Sequence, residues 1–218
     1  MLIEQFQKEH PGIHCEATFG SSGSLFAQLT QRAPFDLFLS ADVAYTRTLE
    51  DQGLILPESR FSYAMGHLVL WAPQNSPLNL EMGLKCLESS EIRKIAIANP
   101  EVAPYGRAAV AALKSSNLYE PVQSRLVLGE NLAQAAQFVQ SGGADVGLLS
   151  LSLALAPEMK KTGRYYELPA STYPSIEQAG VILAWAQSID ATRQFRDFLR
   201  ARTGQEILKQ HGLTIPGE

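Results

Sequence analysis

The chain has 218 residues, of which 45% are apolar and 18% charged; this globular composition excludes a disordered or fibrous chain. Its 18 basic and 22 acidic residues leave a net charge of −4, which disfavours a nucleic-acid binder, since these carry a basic excess. Its two cysteines, Cys15 and Cys86, are too few for a disulfide scaffold, and neither lies in a CxxC pair.

No run of about 18 apolar residues is present, so the sequence predicts no membrane span. The opening MLIEQFQKEHPG has no basic, apolar and small-residue succession of a signal peptide. The expectation is a cytoplasmic protein, or an export signal upstream of Met1.

In chain order, Leu2, Ile3 and Phe6 share a helical face that Pro11-Gly12 terminates. Residues 12–19 alternate Ile13, Cys15, Ala17 and Phe19 against polar neighbours and predict a strand. GSSGS (20–24) leads into a short helix, 35–41 reads as a buried strand, and 42–53 as a helix ended by Gly53. Residues 61–73 are long for one strand, and Gly66 predicts a bend where the chain crosses between lobes.

Further on, helices are predicted near 81–89, at 104–115, at 131–141 and near 151–156, with strands at 94–98, 125–128 and 145–149 and an edge strand at 165–168. After a mostly polar stretch, 180–184 reads as an apolar strand, and 191–203 and 204–211 as closing helices. Strands alternating with short helices predict an α/β fold with parallel-rich sheets and helices on both faces. The organisation expected is two lobes: residues 1–65 plus 175–218, and residues 66–174, with a cleft between them.

Three strand-to-helix junctions could carry chemistry. Gly20-Ser21-Ser22-Gly23-Ser24 offers amides, hydroxyls and close approach to an oxyanion, or is a flexible loop with a serine cap. The run from Asn99 to Arg107 places Pro104 in the first turn of a helix and the Tyr105 amide above the strand ends; Arg107 is an anion partner or a solvated side chain. Gly129-Glu130-Asn131-Leu132 repeats the arrangement, with Asn131 as cap and the Leu132 amide just inside. Three junctions of one kind describe a site that holds an anion through neutral donors.

Catalytic chemistry has no comparable anchor. There is no GxSxG elbow, Walker loop, GxGxxG or HExxH. His10 and His14 are separated by Pro11-Gly12 and share no helical face, so a metal site is not expected. Cys15 and Cys86 read as packing residues, and Asp36 as a carboxylate bonded to a neighbouring loop, or a caged catalytic one.

FGSSGSLFAQL, PFDLFLSAD, ANPEVAPYGRAA and GENLAQAAQFVQSGGADVGLLSLS, with the closing FRDFLRARTGQEILKQHGL, resemble the molybdate-binding proteins of bacterial ABC importers. These are periplasmic two-lobe solute-binding proteins of class II, and the resemblance runs from residue 1 to about 214. It implies that Ser22 donates its hydroxyl and amide to a tetrahedral oxyanion, and that the amides of Tyr105 and Leu132 donate from the other lobe. It also implies that a first strand and its ligand loop precede the opening helix and are missing from the chain. Some members carry a tyrosine ligand where this sequence has Ser150, and a serine is too short for that role.

The reading is therefore a monomeric, periplasmic binding protein for molybdate or tungstate that delivers it to a membrane permease. It implies no cofactor, no protein-held metal, no nucleic acid and no catalysis. Sulfate or another oxyanion is the alternative ligand. An enzyme acting on a phosphorylated small molecule is the alternative of another class.

Overall fold

A computed structural model describes residues 1–217; Glu218, the last residue of the expected first lobe, lies outside the described residues. In chain order the elements are α1 (Leu2–Glu9), α2 (Ser22–Thr30), β1 (Leu37–Ser40), α3 (Val43–Asp51), β2 (Phe61–Gly66) and β3 (Leu68–Pro73). A kinked 3-10 segment, Leu80–Glu88, precedes β4 (Ile95–Ala98), α4 (Pro104–Ser115) and α5 (Tyr119–Val122). Then come β5 (Leu126–Gly129), α6 (Leu132–Gln140), β6 (Val146–Ser150), α7 (Leu151–Ala154) and α8 (Pro157–Thr162). The chain closes with β7 (Gly163–Glu167), β8 (Ile176–Ile182), α9 (Ile189–Arg200) and α10 (Arg202–Gln210).

The chain divides into two compact units. Unit 1 comprises Met1–Met65 and Glu177–Glu218, and unit 2 comprises Gly66–Ile176. The long apolar run at 61–73 is two strands, broken at His67 just after the predicted bend at Gly66.

Unit 1 holds a three-stranded sheet in the order β1-β8-β2, with β1 and β8 antiparallel. Side chains alternate across a strand, and here they serve two cores. Phe38 joins Leu29, Leu49, Val181 and Leu183 under α2 and α3. Leu37 and Leu39 turn the other way, to Phe61, Tyr63, Leu199 and Leu208 beneath α9 and α10. Helix α1 is fastened to α9 by Phe6, which meets Phe195 edge-on at 4.9 Å and Phe198 at 5.5 Å.

Unit 2 holds a five-stranded sheet in the order β5-β4-β6-β3-β7. Strand β4 runs parallel to β5 and β6, whereas β3 runs antiparallel to β6 and β7. Every residue of β4 and β6 is buried, so both faces of the sheet are covered. One face packs Val69, Trp71, Ala96 and Leu149 on Ala135, Ala136 and Val139 of α6.

The α/β class is as expected, but the sheets are mixed rather than parallel-rich. In unit 2 strand β3 pairs antiparallel with β6 and β7, so half of that sheet's pairings are antiparallel, and in unit 1 β1 pairs antiparallel with β8.

Residues 12–19 form no strand. Alternation supplies two faces, but a strand also needs a neighbour's backbone. Here Ile13 donates to the His10 carbonyl at 2.9 Å, Cys15 donates to the Gln7 side chain at 2.8 Å, and Phe19 is 90% exposed. The last strand begins earlier than expected, at Ile176 inside the polar-looking stretch. The segment at 80–88 is not a regular helix, because Gly83 sits in it at φ 58°.

Candidate functional site

In unit 2 the chain makes a switch at the carboxyl ends of β4 and β5. Helix α4 carries the chain from β4 out to its neighbour β5, and α6 brings it back across β4 to β6. Crossovers between parallel strands are right-handed, so these opposite excursions put α4 and α6 on opposite faces. A crevice opens outside adjacent strand ends where the chain departs to both faces, and ligands of open α/β sheets bind there.

Both helices are pressed against the strand ends. A Cβ on Gly106 would lie 2.1 Å from the Ala98 carbonyl oxygen, and one on Gly129 would lie 2.6 Å from the Ala135 nitrogen. Only glycine permits these approaches. Asn99 shapes the loop into α4: its carbonyl accepts from Ala103 at 2.8 Å and its side chain from Glu101 at 3.0 Å. Pro104 starts the helix, and Arg107 N–H is the first to find an intrahelical carbonyl, that of Ala103. Tyr105, 4% exposed, and Gly106 occupy the first turn between them. Gly106 N–H makes no hydrogen bond among the described residues.

At α6, Asn131 caps the helix by accepting from Gln134 N–H at 3.0 Å, and the Gln134 side chain reaches back to Glu130 N–H at 2.7 Å. This is a capping box displaced by one residue. It satisfies the outer donors and leaves those of Leu132 and Ala133, which make no hydrogen bond among the described residues. Ser150, at the end of β6 and 2% exposed, caps α7 by accepting from Leu153 N–H at 3.3 Å and shares a bond with Ser152.

In unit 1 the same chemistry sits at the carboxyl end of β1. The N-cap of α2 is Ser21, whose hydroxyl accepts from Ser24 N–H at 3.2 Å. Ser22 is one residue further in, 7% exposed, and its hydroxyl accepts from Ala41 N–H at 3.0 Å, just past the end of β1. The hydroxyl proton of Ser22 is thereby left to donate, together with the N–H groups of Ser22 and Gly23, which make no hydrogen bond among the described residues.

Ser22 thus belongs to unit 1, and Tyr105 and Leu132 to unit 2. Sequence reasoning missed the Ala41 partner of Ser22, the unbonded N–H groups of Gly23 and Ala133, and the cap formed by Ser150.

The remaining reactive side chains are engaged elsewhere. Asp36 accepts from the amides of Gln187 at 2.6 Å and Ser188 at 3.3 Å. His67 meets Glu167 at 3.2 Å, and His211 faces the Ile207 carbonyl at 2.7 Å. Burial raises the thiols of Cys15 and Cys86, with Arg164 opposing the shift at Cys86. Among the described residues no three His, Cys, Asp or Glu side chains gather as a metal site, and no helix is long and apolar enough to cross a membrane.

Residues 1–214 match the family model described as bacterial extracellular solute-binding protein. The molybdate-binding protein ModA of Azotobacter vinelandii is 34% identical over 211 residues, covering 97% of this chain and 82% of that protein. ModA of Rhodobacter capsulatus is 34% identical over 204 residues, covering 94% and 79%. The solved periplasmic molybdate-binding protein of Azotobacter vinelandii superposes with a TM-score of 0.92 at 34% identity, over 99% of this chain and 93% of that one. The chain belongs to the bacterial extracellular solute-binding proteins and has their two-lobe class II fold.

Proposed function

We propose that this chain binds molybdate, or the isostructural tungstate, and delivers it in the periplasm to the membrane permease of an ABC importer. The observation that carries the reading is a set of donors with no protein acceptor: Ser22, Gly23, Leu132 and Ala133 all present N–H groups without hydrogen bonds among the described residues. They lie at helix starts, where the backbone dipole favours an anion. The names of the 34%-identical relatives specify which anion.

In this reading Ser22 donates through its hydroxyl and amide, and Tyr105 and Leu132 through their amides. All of these donors are neutral, so the bound dianion keeps its charge and is held by hydrogen bonds alone. The protein works by capture, as a monomer, without a cofactor or resident metal and without chemical turnover.

Ligand that binds only the folded state raises stability by about 2.7 kcal/mol at a hundredfold excess over Kd. Thermal unfolding is to be followed with molybdate, tungstate, sulfate and phosphate. Molybdate and tungstate should raise the midpoint at sub-millimolar concentration, and sulfate and phosphate should not. An equal response to sulfate would transfer the reading to oxyanions in general; no response to any of the four would end it.

A further inference from the structure

Unit 1 contains a cavity of about 490 Å³ lined by Arg32, Pro34, Phe35, Asp36, Trp185 and Gln187. It is remote from Ser22. Phe35 and Asp36 precede the first residue of β1, whereas Ser22 is bonded to Ala41 beyond its last. Four strand residues at about 3.3 Å each separate the two places.

The pocket is open to solvent, with Arg32, Pro34 and Gln187 exposed, and its volume lies in the size range of small-molecule sites, roughly 300–1,000 Å³. Phe35 and Trp185 supply the walls, and the indole of Trp185 is held by donating to the Ala33 carbonyl at 2.9 Å. Arg32 supplies a cation. Its guanidinium makes no hydrogen bond or ion pair among the described residues. Asp36 does not neutralise it: that carboxylate is bound by the Gln187 and Ser188 amides at the start of α9, where a helix dipole already compensates negative charge.

The backbone at Arg32 is also uncommon, a left-handed conformation it shares with Glu58 and Asn117. Arg32 follows the C-cap of α2 at φ 56°, with Ala33 N–H returning to the Gln28 carbonyl at 3.1 Å. This is the left-handed helix-ending position that glycine normally fills, because a Cβ is disfavoured there. An arginine at that position stands against local preference.

We infer that this pocket is a second binding site, distinct from the oxyanion site, for a small amphipathic carboxylate: a flat apolar body seated on Phe35 and Trp185, with its carboxylate on Arg32. A guanidinium fork matches a carboxylate in two parallel hydrogen bonds.

The probe is 3-phenylpropionate, titrated into isotopically labelled protein while the indole N–H signals of its two tryptophans, Trp71 and Trp185, are observed; Trp185→Phe assigns them. The Trp185 signal should move and saturate at millimolar probe while that of Trp71 stays. Arg32→Gly suits the left-handed backbone, so it should keep or raise the melting temperature while weakening the probe by about tenfold. 3-Phenylpropionamide should bind comparably weakly to wild type, and saturating molybdate should leave the probe affinity unchanged. Absence of saturation, equal binding of acid and amide, unchanged affinity in Arg32→Gly, or displacement by molybdate would each overturn the inference. None of these outcomes depends on whether molybdate is the transported ligand.

Discussion

The hydroxyl of Ser22 receives the backbone N–H of Ala41 at 3.0 Å, across nineteen residues of chain. One lone pair of Ser22 is thereby committed to the end of β1, and the hydroxyl proton is left for another acceptor. Its neighbour Ser21 performs the helix-capping task instead. The proposed binding role and the cap therefore fall on adjacent serines.

This division is testable. Ser22→Ala should weaken molybdate by about 1.5–3 kcal/mol, the range for a hydrogen bond to a charged group, with a smaller loss of stability in the free protein. Ser21→Ala should show the opposite balance: about 1 kcal/mol of stability lost with the cap, and affinity nearly unchanged. Calorimetric titration and urea unfolding of both variants check it; equal profiles would mean that neither serine is specialised.

Gly106 and Gly129 should tolerate no side chain. Gly106→Ala would drive a methyl group into the Ala98 carbonyl, so α4 must move away from β4. The expected result is a stability loss of about 1–3 kcal/mol, as for overpacking, with oxyanion binding reduced through the displaced Tyr105 amide. Gly142→Ala is the control. It meets no atom within 4 Å but has φ 77°, so it should cost stability through strain alone and leave affinity intact. Loss of affinity in the control as well would show that binding merely follows stability.

Much of this arrangement was legible in the sequence, and what was missed has a common cause. Helix α4 starts and stops at the predicted residues because Pro104 pre-sets its first turn and no tertiary contact is needed to read that. The expected strand at 12–19 failed because alternation says nothing about a partner. Strand β8 was read late because Gln178 looks like a loop residue; in the fold it is 8% exposed and accepts from the Tyr63 hydroxyl at 3.0 Å. The bond from Ala41 to Ser22 had no signal at all, since it joins a loop end to a helix start only through the fold of unit 1.

Tyr173 should make the protein sensitive to alkali. Burial raises its hydroxyl above the usual tyrosine value; the N–H of Leu68, donating to it at 3.1 Å, pulls it back, and Glu167 raises it again. A raised folded value means that the native state holds the proton more tightly than the unfolded chain. The stabilisation is full below about pH 10, the ordinary tyrosine value, and is lost as pH rises through the folded value. Urea unfolding between pH 9 and pH 11 should show a steeper decline for wild type than for Tyr173→Phe. Parallel declines would show that Tyr173 does not contribute.

The Leu132 amide can be deleted without deleting the helix. Leu132 is the first residue of α6, the one helical position where proline is favoured, because its N–H has no intrahelical acceptor and its φ is already suitable. The preceding Asn131 is extended, at φ −149° and ψ 178°, as a residue before proline must be. The cap from Asn131 to Gln134 does not involve the Leu132 nitrogen, and the Leu132 side chain is only partly buried. Leu132→Pro should therefore fold, with a stability change set by the altered side chain, while removing one donor from the proposed site. Molybdate affinity should fall by about 1.5–3 kcal/mol, and Leu132→Ala, which keeps the N–H, should retain most of it. If both variants bind like wild type, the start of α6 does not face the ligand.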